Sequence, residues 1–231
     1  MEISNISAVL VHGAWADGSS WRNVIGRLRD RGIKAVAAPL PLVSLSGDVA
    51  ALDRTLERID GPVVLVGHAY AGAVIGATRA AAVEALVYVA ALAPDEGETV
   101  ADVFYRGEAH PQAPQLAPDR HGAIWLPQAA FAAAFAQHAA PRDLTVLAAV
   151  QRPIAAACIG EAVGRPLWKD RPSWFLIAEQ DRMINPDTQR FMARRMNAQV
   201  RAHGVDHTPM IAAPDVVTDV IAEAIAALAA R

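Results

Sequence analysis

Three stretches carry side chains whose types and placement could do chemistry. His12-Gly13-Ala14-Trp15 comes directly after the apolar run AVLV, and Gly67-His68-Ala69-Tyr70-Ala71-Gly72 comes directly after VVLV. Asp181 follows WFLIAEQ, with His207 further along the chain. A histidine titrates near neutrality and can take and return a proton. A carboxylate beside it fixes its tautomer and stabilises the imidazolium. The middle stretch has the form of a tight strand-to-helix turn that presents one residue in a strained conformation. Its flanks must be small, and Gly67, Ala71 and Gly72 are. Such a turn aims residue 69 into a site at the positive end of a helix. Residue 69 is alanine, which has no hydroxyl and cannot form a covalent intermediate.

The elements that must position these residues alternate. Ala8–Val11 reads as a buried strand, with an amphipathic helix over Trp21–Arg31. Ile33–Ala37 is the next strand, then a helix over Asp48–Ile59 with Val49, Leu52, Leu56 and Ile59 on one face. Val63–Val66 is a third strand, Ala69–Ala82 a helix and Ala85–Ala90 a fourth strand. This order predicts an α/β fold, a mostly parallel sheet of about six strands flanked by helices. Uniformly apolar strands agree, because parallel sheets are covered on both faces. Open parallel sheets place their ligands at the carboxyl ends of the strands, where all three stretches fall. After Pro94 the alternation breaks. Residues 95–170 hold DEG, HPQAP, APDRHG and WLP, with short alanine-rich helical pieces near 127–138 and 141–149. They read as an inserted cap, or lid, on a core of 1–94 and 171–231. The pattern resumes with strands Trp174–Ala178 and Gln199–Ala202 and helices Asp187–Asn197 and Pro214–Ala229.

Composition narrows the class. The 231 residues suit one domain, and 53% hydrophobic with 19% charged residues argues against disorder. The net charge is −3 with no basic block, so electrostatic nucleic-acid binding is a poor fit. The one cysteine, Cys158, cannot form an internal disulfide and reads as a small buried hydrophobe. MEISNISAVLVHG lacks the charged start and long apolar core of a signal peptide, and no run has the length of a membrane helix. A soluble, cytoplasmic setting is expected. GHAYAG is not a phosphate loop and no dinucleotide fingerprint occurs, so no cofactor is implied. No histidines sit at a convincing metal spacing; His203 and His207 straddle a strand-to-loop break.

HGAWADGSSW, GHAYAG, VYVAALAPDEGE, IAEQDRMINP and VDHTPM, in this order, resemble the α/β-hydrolase superfamily. The closer likeness is to its small esterase and hydroxynitrile-lyase branch, which includes plant methylsalicylate-type esterases and bacterial homologues. The resemblance implies that residue 69 holds the nucleophile position, His207 is general base and acid, and Asp181 orients it. It implies an oxyanion hole from the backbone N–H groups of Ala14 and Tyr70. Such donors are each worth roughly 2.7–4 kcal/mol. Asp206 is a weaker rival for the acid, and Asp187 reads as a helix cap. Two explanations of Ala69 stay open. A serine was exchanged for alanine to trap a ligand, or alanine is native and His207 with Asp181 works without a covalent step. His12 reads as shaping the oxyanion loop, and His68 as pointing elsewhere. His12, Trp15 and the cap residues Phe104, Tyr105, His110, His121, Trp125 and Leu126 are the candidate substrate-binding residues. The expected activity is hydrolysis of a carboxylic ester on a small, largely apolar substrate; the alternatives are a non-hydrolytic binder or a lyase on the same fold. Lyases of this branch carry threonine where this chain has Gly13 and lysine where it has Thr208, which speaks against that alternative. Exposed lid surfaces often pair, which leaves room for a homodimer.

Overall fold

The strands form where β-branched and aliphatic runs are bounded by glycine, proline or charge. β1 (Ser7–Val11), β2 (Lys34–Ala38), β3 (Val63–His68), β4 (Val83–Val89), β7 (Ser173–Ala178) and β8 (Gln199–His203) pair in one parallel sheet. The order is β2-β1-β3-β4-β7-β8 in the computed structural model, which describes residues 5–230. Met1 to Ser4, the start of the N-terminal run read above, and Arg231 lie outside the described residues. β1, β3 and β7 are buried along their whole length, as a parallel sheet covered on both faces requires. β2 and β8 are the edges, and their exposed residues (Lys34, Val36, Arg201) show it.

The helices of the main alternation are α1 (Arg22–Asp30), α2 (Leu45–Leu56) and α3 (Ala71–Ala77). α2 begins before Asp48, because the Ser44 side chain caps it by accepting from the Gly47 N–H. α3 is shorter than the predicted Ala69–Ala82 at both ends. Ala69 has φ +51°, and Thr78 turns extended while its hydroxyl donates to Asp53. Alanine's helix preference is overridden by the turn at one end and by a side-chain bond at the other. Past β7 come α8 (Pro186–Arg195), a short α9 (Pro209–Ala212) and α10 (Pro214–Ala229), the last packed against β3, β4 and β7.

Between β4 and β7 the chain leaves the sheet. This connection holds α4 (Val100–Phe104), a two-stranded antiparallel piece of β5 (Ala123–Ile124) and β6 (Ile154–Ala155), α5 (Gln128–Ala130) running into a π-helical turn Phe131–Phe135, α6 (Pro141–Val150) and α7 (Ala156–Gly160). Hydrogen bonds tie it to the loops at the carboxyl ends of the strands. The Trp15 N–H donates to the Arg152 carbonyl, the Ala155 N–H to the Leu42 carbonyl and the His138 N–H to Asp206. No helix among the described residues is long and apolar enough to cross a membrane.

Candidate active site

Backbone strain collects at the carboxyl edge of the sheet. Trp15 (φ +58°), Leu42 (+59°), Ala69 (+51°) and Ala90 (+44°) follow β1, β2, β3 and β4 respectively. Left-handed non-glycine residues persist only where the surroundings over-determine them, and they gather at functional sites. The turn after β3 shows why. A Cβ on Gly67 would lie 2.9 Å from the Ala71 carbonyl oxygen, and one on Gly72 only 2.3 Å from that of Leu92. Only glycine lets α3 start so close to β3 and to the chain after β4. The Ala69 carbonyl accepts from Gly72 and Leu92 N–H groups, which locks the strained residue.

His207 comes from the loop after β8 and Asp181 from the loop after β7. The His207 Nδ1–H donates to Asp181 Oδ2 at 2.8 Å, both side chains being buried. The carboxylate also accepts from the Met183 and Ile184 N–H groups on Oδ1 and from Gln189 Nε2 on Oδ2. With its proton on Nδ1, His207 presents a bare Nε2, and the residue lines the cavity that also exposes Ala69. His68 supports it from behind. Its Nε2–H donates to the His207 carbonyl at 2.8 Å, with the rings 4.8 Å apart. Burial holds His68 well below its ordinary pKa, so it stays neutral. His12 stays neutral for the same reason. Its Nε2 accepts from the Leu40 N–H, so its proton sits on Nδ1 and goes to the Gly13 carbonyl. That pair of bonds shapes the loop carrying Ala14.

The Ala14 and Tyr70 N–H groups have no hydrogen-bond partner among the described residues, and both residues border the cavity. Tyr70 is held by its other end: its hydroxyl donates to Asp48 Oδ2 at 2.7 Å. Asp48, fully buried, also accepts from the Leu42 N–H (2.7 Å) and the Cys158 thiol (3.6 Å). Burial raises the Asp48 and Tyr70 pKa values and pushes the Cys158 thiol up to about 12, so the thiol is inert.

The cavity measures ≈ 60 Å³. The sheet edge contributes Ala14, Trp15, Ala69, Tyr70, Leu92, Met183, Ile184 and His207. The β4–β7 connection contributes Val100, Ala101, Phe104, Tyr105, Leu116, Ile124, Ile154 and Ile159. Of the substrate-binding candidates, Trp15, Phe104 and Tyr105 are on this wall. The other five are not among the residues that line it. His110, His121 and Trp125 are exposed on the connection. Leu126 is buried, but its backbone pairs with the Gln151 side chain away from the wall. His12 is bonded to the Leu40 N–H and the Gly13 carbonyl, behind the loop carrying Ala14. Sequence reasoning passed over Asp48, Gln189 and Phe135, whose ring lies 5.4 Å from that of His207 and 6.1 Å from that of Trp15. It also passed over Leu116, Ile124, Ile154 and Ile159. Met183 and Ile184 had a signal, their place two and three residues after Asp181; the isolated isoleucines of the connection had none.

The chain matches the model of the alpha/beta hydrolase family over residues 8–220. A curated relative, the carbendazim hydrolyzing esterase of Nocardioides sp. (strain SG-4G), is 32% identical over 107 residues. That match takes in 40% of this chain and 44% of the relative, less than half the length of either. Three solved structures share the fold over nearly the whole chain. A pyrethroid hydrolase from Sphingobium faniae JZ-2 has TM-score 0.81 at 19% identity, covering 98% of this chain and 100% of that one. Polyneuridine aldehyde esterase has TM-score 0.77 at 17% identity, covering 95% and 98%. A methylesterase from Arabidopsis has TM-score 0.78 at 16% identity, covering 96% and 99%.

Proposed function

Because this chain belongs to the alpha/beta hydrolase family, we propose that it is an esterase-like hydrolase of small, largely apolar carboxylic esters, working through His207 and Asp181 with water in place of a residue-69 nucleophile. One observation carries the reading. An oriented histidine, its Nδ1 bonded at 2.8 Å to a carboxylate, turns a bare Nε2 toward an apolar cavity bordered by two unpaired N–H donors. The ester carbonyl oxygen accepts from Ala14 and Tyr70 N–H. His207 Nε2 takes a proton from the water as its oxygen attacks the carbonyl carbon. The imidazolium, stabilised by Asp181, then protonates the departing alkoxide. The apolar wall supports an apolar substrate, and the small cavity supports a small one.

The lyase alternative loses support at Gly13, where a Cβ would come within 2.9 Å of the Ala69 Cβ; no larger residue fits there without displacing the turn. The test sets Ala69→Ser beside the chain as it stands, on a panel of short-chain and aryl esters. A burst of acyl-enzyme from Ala69→Ser means that the site holds the geometry of a complete serine triad. Slow, burst-free hydrolysis by the unaltered chain, lost in His207→Ala, supports the water route. Hydrolysis by neither protein overturns the esterase reading and leaves ligand binding.

A further inference from the structure

We infer that this site carries a second activity: removal of a proton from the carbon next to the carbonyl of small apolar ketones. The inference rests on the reading of His207 as the base and of the Ala14 and Tyr70 N–H groups as the oxyanion hole.

The polar groups around the cavity are few. The Tyr70 hydroxyl is turned away to Asp48, and the Trp15 Nε1–H donates to the Ile124 carbonyl at 2.9 Å. Tyr105 is at the mouth, 63% exposed. At the reacting end there remain the bare Nε2 of His207 and two N–H groups, and the N–H groups are taken once a carbonyl oxygen binds. A well-placed water needs about two to four polar partners. Beside a bound carbonyl it finds one, Nε2, and otherwise the Ala69 methyl and aliphatic walls, which keeps the water route slow without closing it. A methyl or methylene group has no such need. The α-carbon of the substrate fits the space where a longer polar side chain at residue 69 would stand, between Nε2 and the carbonyl.

The step balances without a co-reactant. The C–H bond breaks, its proton goes to His207 Nε2, and its electron pair forms the carbon–carbon double bond. The carbonyl electrons move onto oxygen, and the enolate oxygen accepts from Ala14 and Tyr70. Asp181 stabilises the imidazolium. Return of the proton to carbon restores the ketone; where the Nε2 proton has first exchanged with D2O, the returning particle is a deuteron. A ketone has no ester bond, so hydrolysis cannot mimic the result.

The unaltered protein is incubated with acetophenone in buffered D2O, and loss of the methyl proton signal is followed by ¹H NMR against buffer containing free imidazole. Exchange above that control is expected, reduced about 10²-fold or more in His207→Gln, in line with the loss of a positioned base. It also falls in Ala69→Ser, whose hydroxyl occupies the space the methyl needs, while the same variant hydrolyses phenyl acetate. Exchange at the control rate by the unaltered chain, with Ala69→Ser hydrolysing phenyl acetate, overturns the inference and leaves the esterase reading intact. Exchange by the unaltered chain with no ester hydrolysis by either protein supports the inference and removes the esterase reading. Exchange that is unchanged in His207→Gln overturns the inference.

Discussion

The carboxyl edge of the sheet and the β4–β7 connection above it enclose the cavity by opposite means. The edge is polar and strained. His207, Asp181, His68, His12 and Asp48 are all buried there, each held by a hydrogen bond, beside four left-handed residues. The connection presents aliphatic and aromatic side chains from short elements and keeps His110, His121 and Trp125 in solvent. Directional bonds fix atoms to a few tenths of an ångström, as a proton transfer needs, whereas apolar contacts fix a shape. We therefore propose that the edge sets whether a reaction occurs and the connection sets which substrate undergoes it.

The largest test of that division is at the base. In the Ala69→Ser background, His207→Ala should lower kcat on an aryl ester by about 10⁴-fold with little change in KM. A variant that raised KM and spared kcat would make the edge a binding surface, and the division would fail.

Asp48 tests the seam between the two regions, since it joins Tyr70 and Leu42 at the edge to Cys158 in the connection. Asp48→Ala strands three buried donors and is expected to cost about 3 kcal/mol. Asp48→Asn, which keeps an acceptor oxygen, should cost less. The check is a pair of urea titrations with kcat measured beside them. On the proposed role of the Tyr70 N–H as an oxyanion donor, kcat should fall in both variants. An unchanged midpoint in Asp48→Ala would mean that edge and connection are held independently.

What could be read from the chain alone divides along the same line. The strands and the three strand-end stretches were legible because a buried parallel strand is a nearly pure apolar run, and because Gly67 and Gly72 stand where no side chain fits. Asp181 and His207 were legible from their places after the last two strands. The cavity wall in the connection was not. β5 and β6 are two residues each and the helices are short, so no period runs long enough to say which way a side chain faces. Histidine and tryptophan drew notice there for their chemistry, while Leu116, Ile154 and Ile159, which form the wall, look like any aliphatic residue. Asp48 was hidden for a related reason. It sits in an amphipathic helix whose apolar face was plain, and its partners come from residues 42, 70 and 158.

A smaller effect separates the regions by pH. His12 and His68 are held neutral below their ordinary value of 6.5, chiefly by burial. Between their folded pKa values and 6.5 the unfolded chain binds protons that the folded chain does not. Their contribution to stability is therefore full above 6.5 and is lost as pH falls through that window. Asp48 and Asp206, raised by burial, act with the opposite sign in windows that begin at 3.8. His68→Gln keeps a side-chain donor for the His207 carbonyl and isolates the histidine contribution. The loss of stability between pH 7.5 and pH 5 should shrink in this variant, by no more than about 1.4 kcal/mol for each unit of pH in the window. His121→Gln, in solvent on the connection, should leave the loss as it was. Equal changes in the two variants would dissolve the contrast.

The finest test lies within the connection. Phe104 lines the cavity, and its neighbour Tyr105 meets it edge-on with ring centroids 4.9 Å apart. Trp125 is larger, but it is half exposed and off the wall. Size alone would make Trp125→Ala the more damaging change. Position predicts the reverse. Phe104→Ala should shift the ratio of kcat/KM between a short-chain and an aryl ester by about 10-fold, the scale set by a few methylenes in an apolar pocket. Trp125→Ala should leave that ratio alone and move stability by no more than about 0.5 kcal/mol, as exposed substitutions do. Ratios measured for both variants in the Ala69→Ser background decide it. If Trp125→Ala moves preference as far as Phe104→Ala, the substrate reaches beyond the cavity onto the outer face of the connection, and the Phe104 wall is only the inner part of its binding surface.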